Sequence, residues 1–389
     1  MTAPDPPSKK SHAGSFVSGL VSTVSFVLIV LVLLEGLSRL FLDPVPEVRV
    51  AARVLPKSTE PISLELEGVP DRGGLYQRTR SGLRLRPQTH AVLKNERLSG
   101  LTIDIRTNSL GYRGPEIDAR EGTRILFLGD SITFANYLPE EETFVHLTRV
   151  LGAAKGHSWN TINAGVGTIS LGNELAILKE TGISVEPDVV VLAFYLNDFH
   201  ESPGIFVARI PKAIAWSRVV QHVARIHSQN AKSSKEKKSR FIAQVREDLA
   251  RQLNPAPGNW RINPRAFDAL ILKNARDWGG AWSDAAWTSM VPLFEELKRL
   301  SDEHGFQLAI VAFPVRYQVL SEFSNDWPQQ QLAKIAKSLD VPLLDLLPSQ
   351  RRAKGALYYD HCHHSPRGAR LAAVEITEFL ATQVLNDEP

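Results

Sequence analysis

The chain has 389 residues, and its 45 Lys and Arg against 42 Asp and Glu leave a net charge of +3, too small to point to a nucleic-acid partner. A 43% hydrophobic and 22% charged composition is ordinary for a globular protein, and the length suits one large or two small domains. The one cysteine excludes an internal disulfide and leaves the redox compartment open.

Residues 1–15 are polar, with Pro4, Pro6, Pro7, Lys9 and Lys10, and read as a disordered N-terminal tail. From Phe16 to Leu34 no charge appears, and apolar character continues past Glu35 and Arg39 to Leu42. About 19 uncharged residues at about 1.5 Å each nearly match a hydrocarbon core of about 30 Å, so residues 16–42 are expected to form one transmembrane signal-anchor helix. Glu35 and Arg39 are spaced to pair along it. A cleaved signal peptide would have a shorter apolar stretch and a small-residue cleavage site. A buried core helix is disfavoured by Pro44 and Pro46, which cut the segment from the rest of the chain. Lys9 and Lys10 precede the helix, whereas Arg39, Arg49, Arg53 and Lys57 come at or after its end, so the positive charges do not settle orientation.

Residues 43–106 are rich in Pro and charge, with short alternating stretches such as Leu64-Glu-Leu-Glu67 and Leu101-Thr-Ile-Asp-Ile-Arg106. They read as a stalk and a small β addition. From residue 107 onward, apolar runs near 124–129, 159–164, 189–195, 307–313 and 342–345 alternate with helical patterns near 142–152, 170–181, 288–304, 329–339 and 366–385. This predicts an α/β fold, a three-layer α/β/α sandwich around a five-stranded parallel sheet. About a hundred residues separate Asn197 from the fourth strand, far more than a crossover needs, so residues 199–290 read as an insertion over the carboxyl edge of the sheet. It contains helical patterns at 213–229 and 241–253 and the basic run Lys232–Arg240, read as a solvated loop that could also meet anionic lipid or an acidic polymer. It also holds Trp216, Trp260, Trp278, Trp282 and Trp287, which could stack on sugar rings but more commonly form core. Pro314, Val315, Arg316 and Tyr317, after the fourth strand, are candidates for the pocket wall.

Chemistry-bearing residues stand just past the strands. Gly129-Asp130-Ser131 ends the first, Gly165 comes after the second, and Asn197-Asp198 after the third. Ligands of open α/β sheets bind at that edge. Near the C-terminus, Asp360-His361-Cys362-His363 precedes Ser365-Pro366, a helix-start signal. A serine hydroxyl needs a base within hydrogen-bond reach, itself oriented by a third group, and His363 and Asp360 fit those roles for Ser131. The Ser131 N–H, the Gly165 N–H and the Asn197 amide are the expected oxyanion donors. Gly165 is expected to be small so that a substrate oxygen can approach the backbone. Asp130 is expected to anchor the turn, Asp198 to be structural, and His361 and His364 to lie at the rim. A zinc reading of the His/Cys run is weak, because adjacent residues rarely converge on one ion. Neither metal nor cofactor is expected.

In this order the blocks resemble the SGNH (GDSL-like) hydrolase superfamily, whose four signature residues fall on Ser131, Gly165, Asn197 and His363, over residues 107 to 385. The segment Asn108-Ser-Leu-Gly-Tyr-Arg-Gly114 is similar to one found in membrane-attached bacterial members. Tyr195 stands where many members have a glycine before the Asn-Asp pair. The resemblance implies a flavodoxin-like sheet, a serine nucleophile, and an esterase acting on an O-acyl ester, acetyl above all, of an envelope or extracellular glycan. It also implies a catalytic domain outside the cytoplasm, periplasmic or extracellular, attached to the bilayer through residues 16–42. An O-acyltransferase using the same triad is the nearest alternative, and a non-catalytic envelope scaffold is a second.

Overall fold

The computed structural model describes residues 26, 30, 32–40, 50–51, 61–70, 74–79, 82–117, 122–199, 210–211, 217, 219–220, 239–353 and 355–386. The chain divides into two compact units, residues 1–57 with 204–236, and residues 58–203 with 237–389.

In the first unit, residues 32–40 are helical, and β1 (Val50–Ala51) pairs in parallel with β10 (Ile210–Pro211). Glu35 takes hydrogen bonds from Arg39 Nε at 3.0 Å and from Ser217 Oγ at 2.7 Å. Val32, Leu33, Leu37 and Leu40 are exposed. Among the described residues no helix is long and apolar enough to cross a membrane. Most of the span expected at 16–42 lies outside the described residues, as do the tail at 1–15, most of the helix expected at 213–229, and Trp216.

The second unit is built on five parallel strands in the order β12 (Leu343–Asp345), β11 (Gln307–Phe313), β9 (Val189–Tyr195), β7 (Thr123–Gly129) and β8 (Trp159–Asn163). Every residue of Val-Val-Val-Leu-Ala-Phe-Tyr in β9 is buried, as a strand covered on both faces requires. The helices Phe144–Ala154, Leu171–Ile177, Asp284–His304, Trp327–Ser338 and Pro366–Phe379 connect or succeed these strands, matching the alternation in the sequence. The chain runs from β7 outward to β8 and then returns to β9 on the far side of β7. Such a reversal opens a crevice at the carboxyl ends of the two central strands.

Residues 62–106 form the small β addition. Here β2 (Ile62–Glu67) pairs in parallel with β5 (Thr89–Lys94), β5 pairs antiparallel with β6 (Ile103–Arg106), and β3 (Tyr76–Thr79) with β4 (Gly82–Leu85) makes a hairpin.

The segment after β6 turns sharply because Asn108 Oδ1 accepts the N–H groups of Leu110 and Tyr112, both at 3.0 Å, and Gly111 takes φ +80° against the Leu85 carbonyl. The turn delivers Arg113 into the core. There its guanidinium donates to the carbonyls of Phe134 (2.8 Å), Ala135 (2.5 Å) and Leu138 (2.7 Å), closing the C-terminal end of the short helix Ser131–Phe134. Burial pushes this guanidinium down to about 10, still charged at neutral pH.

Arg113→Met is expected to leave these carbonyls without their buried donor and to cost about 2–4 kcal/mol, read from the urea midpoint; Arg113→Lys should recover only part, because an ammonium cannot reproduce the planar fork. Equal midpoints for parent and Met variant would contradict this role.

Candidate active site

Each functional side chain of the sheet edge lies just past a strand end. Gly129 of β7 lies opposite Ala193 of β9, and Phe127 opposite Asn163 of β8, so the segments bearing Ser131, Gly165 and Asn197 leave the sheet side by side. Asp130 caps the helix Ser131–Phe134, its Oδ1 accepting the Ile132 N–H at 2.8 Å. This turn is tight. A Cβ on Gly129 would lie 2.1 Å from Thr133 Oγ1, and one on Gly165 would lie 2.3 Å from Phe134 N. Close packing of the Gly165 loop on the backbone of the Ser131 turn by itself requires a residue without a Cβ there.

Ser131 Oγ lies 3.0 Å from His363 Nε2, and His363 Nδ1 lies 2.8 Å from Asp360 Oδ2. The other carboxylate oxygen, Oδ1, accepts the backbone N–H groups of Cys362 (2.9 Å) and His363 (2.8 Å). One carboxylate thus fixes both the loop and the imidazole ring. Burial alone would raise the Asp360 carboxyl, but the His363 bond and charge and these two N–H groups together hold it well below the usual carboxylate range. The edge of the Tyr137 ring packs on His363, with centroids 4.8 Å apart. Ser131 is half-buried, and the His363 side chain keeps 16% of its exposure, enough for a substrate to reach both.

The Ser131 N–H, at the first helical position, has no intrahelical partner. Asn197 is fixed by its neighbour, because Asp198 Oδ2 accepts the Tyr195 N–H at 2.8 Å and the Asp198 N–H returns to the Tyr195 carbonyl at 3.0 Å. The half-buried Asn197 side chain makes no hydrogen bond among the described residues. The Gly165 N–H instead donates to Asn163 Oδ1 at 3.0 Å, and would have to share or release that bond to meet an oxyanion.

Asn163 is a site residue that the sequence reading missed. Its Nδ2 donates to the Thr133 carbonyl at 2.8 Å, and its own carbonyl accepts the Arg113 N–H at 3.1 Å. It ties β8 to the Ser131 turn and to the segment carrying Arg113. The signal in the sequence was an amide at the end of a strand that packs into the core.

Behind Ser131 lie three buried carboxyl groups, Asp130, Glu174 and Asp198, none paired with Lys or Arg among the described residues. Burial pushes Asp130 up to about 6 against the opposing pull of the Ile132 N–H and of His363. Burial and the neighbouring carboxyls push Glu174 and Asp198 well above their ordinary range. Both Glu174 oxygens lack a hydrogen-bond partner among the described residues. Burial thus favours the uncharged form of Glu174 and Asp198 beneath Ser131.

The remaining residues of the C-terminal loop divide. His361 is partly exposed, whereas His364, expected at the rim, is buried. His364 Nε2 lies 3.1 Å from Gln350 Nε2, its ring rests 4.7 Å from that of Tyr358, and burial with the His363 charge pushes it down to about 3. Burial likewise pushes the Cys362 thiol far up. The ligand-type atoms of Asp360, Cys362 and His363 lie within 4.8 Å of one another, a closeness that the Asp360–His363 bond and the adjacency of Cys362 account for. Trp278, Trp282 and Trp287 are buried and form core; Trp260 is half-buried, its ring 5.1 Å from Tyr317. Pro314 and Val315 are buried, while Arg316 and Tyr317 are half-buried beside the loop carrying Asp360 and His363, the Arg316 N–H donating to the His361 carbonyl at 2.8 Å.

No family model and no curated protein matches the chain. Among solved structures, it is similar to the acetyl xylan esterase AlAXEase (14% identity, covering 66% of this chain and 98% of that one, TM-score 0.36). It is also similar to a lipase/acylhydrolase from Enterococcus faecalis (16% identity, 67% and 96%, TM-score 0.36). A third similar structure is a catalytic mutant of Axe2, an acetylxylan esterase from Geobacillus stearothermophilus (14% identity, 67% and 95%, TM-score 0.37). At such identities and TM-scores the likeness does not say what this chain acts on.

Asn163→Ala is expected to leave KM within about threefold while lowering kcat roughly 10- to 100-fold, since it loosens the nucleophile turn and not a substrate contact; a change confined to KM would refute that role. For Glu174, whose carboxyl is raised in the folded state, stability is full below the unfolded-state value and falls as pH rises through the folded one. Glu174→Gln keeps the shape without the ionisation. Urea unfolding at acid and alkaline pH should therefore show the variant losing less stability than the parent as pH increases.

Proposed function

We propose that this chain is a serine esterase of the SGNH (GDSL-like) type, hydrolysing an O-acyl ester through an acyl-enzyme. The observation that carries this reading is the unbroken line Ser131 Oγ to His363 to Asp360, at 3.0 and 2.8 Å. As Ser131 Oγ bonds to the ester carbonyl carbon, its proton passes to His363 Nε2. The negative charge that develops on the carbonyl oxygen meets the Ser131 N–H and the Asn197 amide, with the Gly165 N–H able to join if it leaves Asn163. The bond to the alcohol then breaks, and the departing oxygen takes the proton from His363. Water then attacks the acyl-enzyme with His363 again as base, releasing the carboxylic acid and restoring Ser131. Asp360 stays ionised throughout, holding the imidazole in the tautomer that presents Nε2 to the serine.

The finer part of the proposal is an acetyl ester of an envelope or extracellular glycan, reached by a catalytic domain outside the cytoplasm and attached through residues 16–42. The uncharged run Phe16–Leu34 and the exposed apolar side chains of Val32, Leu33, Leu37 and Leu40 support the attachment. The half-buried pair Trp260 and Tyr317, next to Arg316 and the catalytic loop, would suit a sugar ring.

The full chain in detergent micelles should hydrolyse p-nitrophenyl acetate and form a phosphonate adduct on Ser131. Ser131→Ala should lose the adduct and about 10⁴- to 10⁶-fold in kcat, and Asp360→Asn about 10⁴-fold with the adduct site intact. A folded parent with neither activity nor adduct would sink the proposal. Release of free acetate from an acetylated glycan, against transfer to an added oligosaccharide, separates hydrolysis from acyl transfer.

A further inference from the structure

The insertion between β9 and β11 touches the catalytic centre through its turn at Asp277–Trp282. Gly280 receives the ring of Phe199, the residue after Asn197 and Asp198: a Cβ there would lie 1.9 Å from Phe199 Cζ. Immediately upstream, Asp277 Oδ2 lies 3.3 Å from His361 Nε2. The other ring nitrogen, His361 Nδ1, lies 3.8 Å from Asp360 Oδ2, the same oxygen that holds His363 Nδ1 at 2.8 Å. The two imidazole centroids are 6.5 Å apart. One carboxylate therefore faces two imidazoles, and His363 is the one that reaches Ser131.

We propose that His361, held by Asp277 of the insertion, is a positioning residue for the triad: its charge competes with His363 for Asp360 and sets the pH range in which His363 can accept the Ser131 proton. The inference deepens the serine-esterase reading and rests on it. His361 is faced by Asp277 from the insertion, by Asp360 and His363 of its own loop, and at longer range by Asp130 of the nucleophile turn, while the Arg316 N–H engages its carbonyl. Burial alone would push the His361 imidazole down, but the Asp277 bond and the charges of Asp360, Asp277 and Asp130 together push it up. It therefore keeps its proton to higher pH than a free imidazole. A positive charge there repels a proton on the neighbouring ring, 6.5 Å away, and competes with it for Asp360. The insertion, through Asp277, would be part of the catalytic apparatus.

The test uses the full chain in detergent micelles as parent, His361→Gln and Asp277→Asn. The rate of Ser131 phosphonylation is measured against pH by intact mass spectrometry. In parallel, ¹³C-histidine NMR tracks the His361 ring, assigned by its absence in His361→Gln. The acid limb of phosphonylation is expected to move up by about 0.5–1 pH unit in His361→Gln, and the His361 titration midpoint to fall in Asp277→Asn. A folded His361→Gln with an unmoved acid limb overturns the proposal, as does a His361 midpoint indifferent to Asp277→Asn. A parent that forms no Ser131 adduct at any pH overturns the serine reading and this inference with it. That failure is distinct, because the NMR titration reports the Asp277–His361 pairing without any reaction at Ser131.

Discussion

The parallel register between β7 and β9 is the constraint on which the site depends. With Gly129 opposite Ala193, β7 ends two residues before β9, so Ser131 and Asn197 both emerge at the carboxyl edge where the strand order reverses. A slip of one residue would turn every side chain of β9 to the opposite face. It would also shift Asn197 relative to Ser131. Pairing of β9 with β7 on one side and with β11 along its whole length on the other holds this register, so the buried sheet sets the geometry of the polar edge.

Beneath the crevice, polar groups are held away from water. Arg113 gathers three carbonyls, Asn163 bridges the second strand to the nucleophile turn, and Asp198 clamps the loop that carries Asn197. Buried groups of this kind are costly unless bonded, and each is engaged with backbone, although Arg113 Nε and Asp198 Oδ1 have no partner among the described residues. Glu174 departs from the pattern, since both its oxygens lack partners among the described residues, and burial with the neighbouring carboxyls raises its carboxyl well above the ordinary range. Rigidity at Ser131 thus comes from backbone contacts supplied by separate stretches of chain.

On the other side of Ser131 the arrangement is more open. Asp360 commits one oxygen to the loop backbone and the other to His363, so loop conformation and ring orientation are set by a single group. The insertion approaches through Asp277 and through the Phe199–Gly280 contact. A segment that looks dispensable to the sheet is in contact with the loops bearing two of its functional side chains.

Much of this was legible in the sequence. Apolar runs of strand length alternating with helical periodicity marked the five parallel strands to within a residue or two, and Ser365-Pro366 marked the start of the last helix, because both depend on local spacing and capping chemistry. Ser131, Asp360 and His363 could be singled out because each sits at a strand end or before a helix start, and the fold brings them within hydrogen-bond reach of one another. The partners of Arg113, the double role of Asn163, the buried and unpartnered carboxyl of Glu174, and the opposite fates of His361 and His364 were not readable. Neighbouring histidines are alike in sequence, and only the folded chain puts one against Asp277 and buries the other beside Tyr358. Local pattern fixes which elements form and where reactive groups sit along them. Which groups lose water, and which meet across long stretches of chain, is decided by packing, because desolvation and charge pairing act through distance in space.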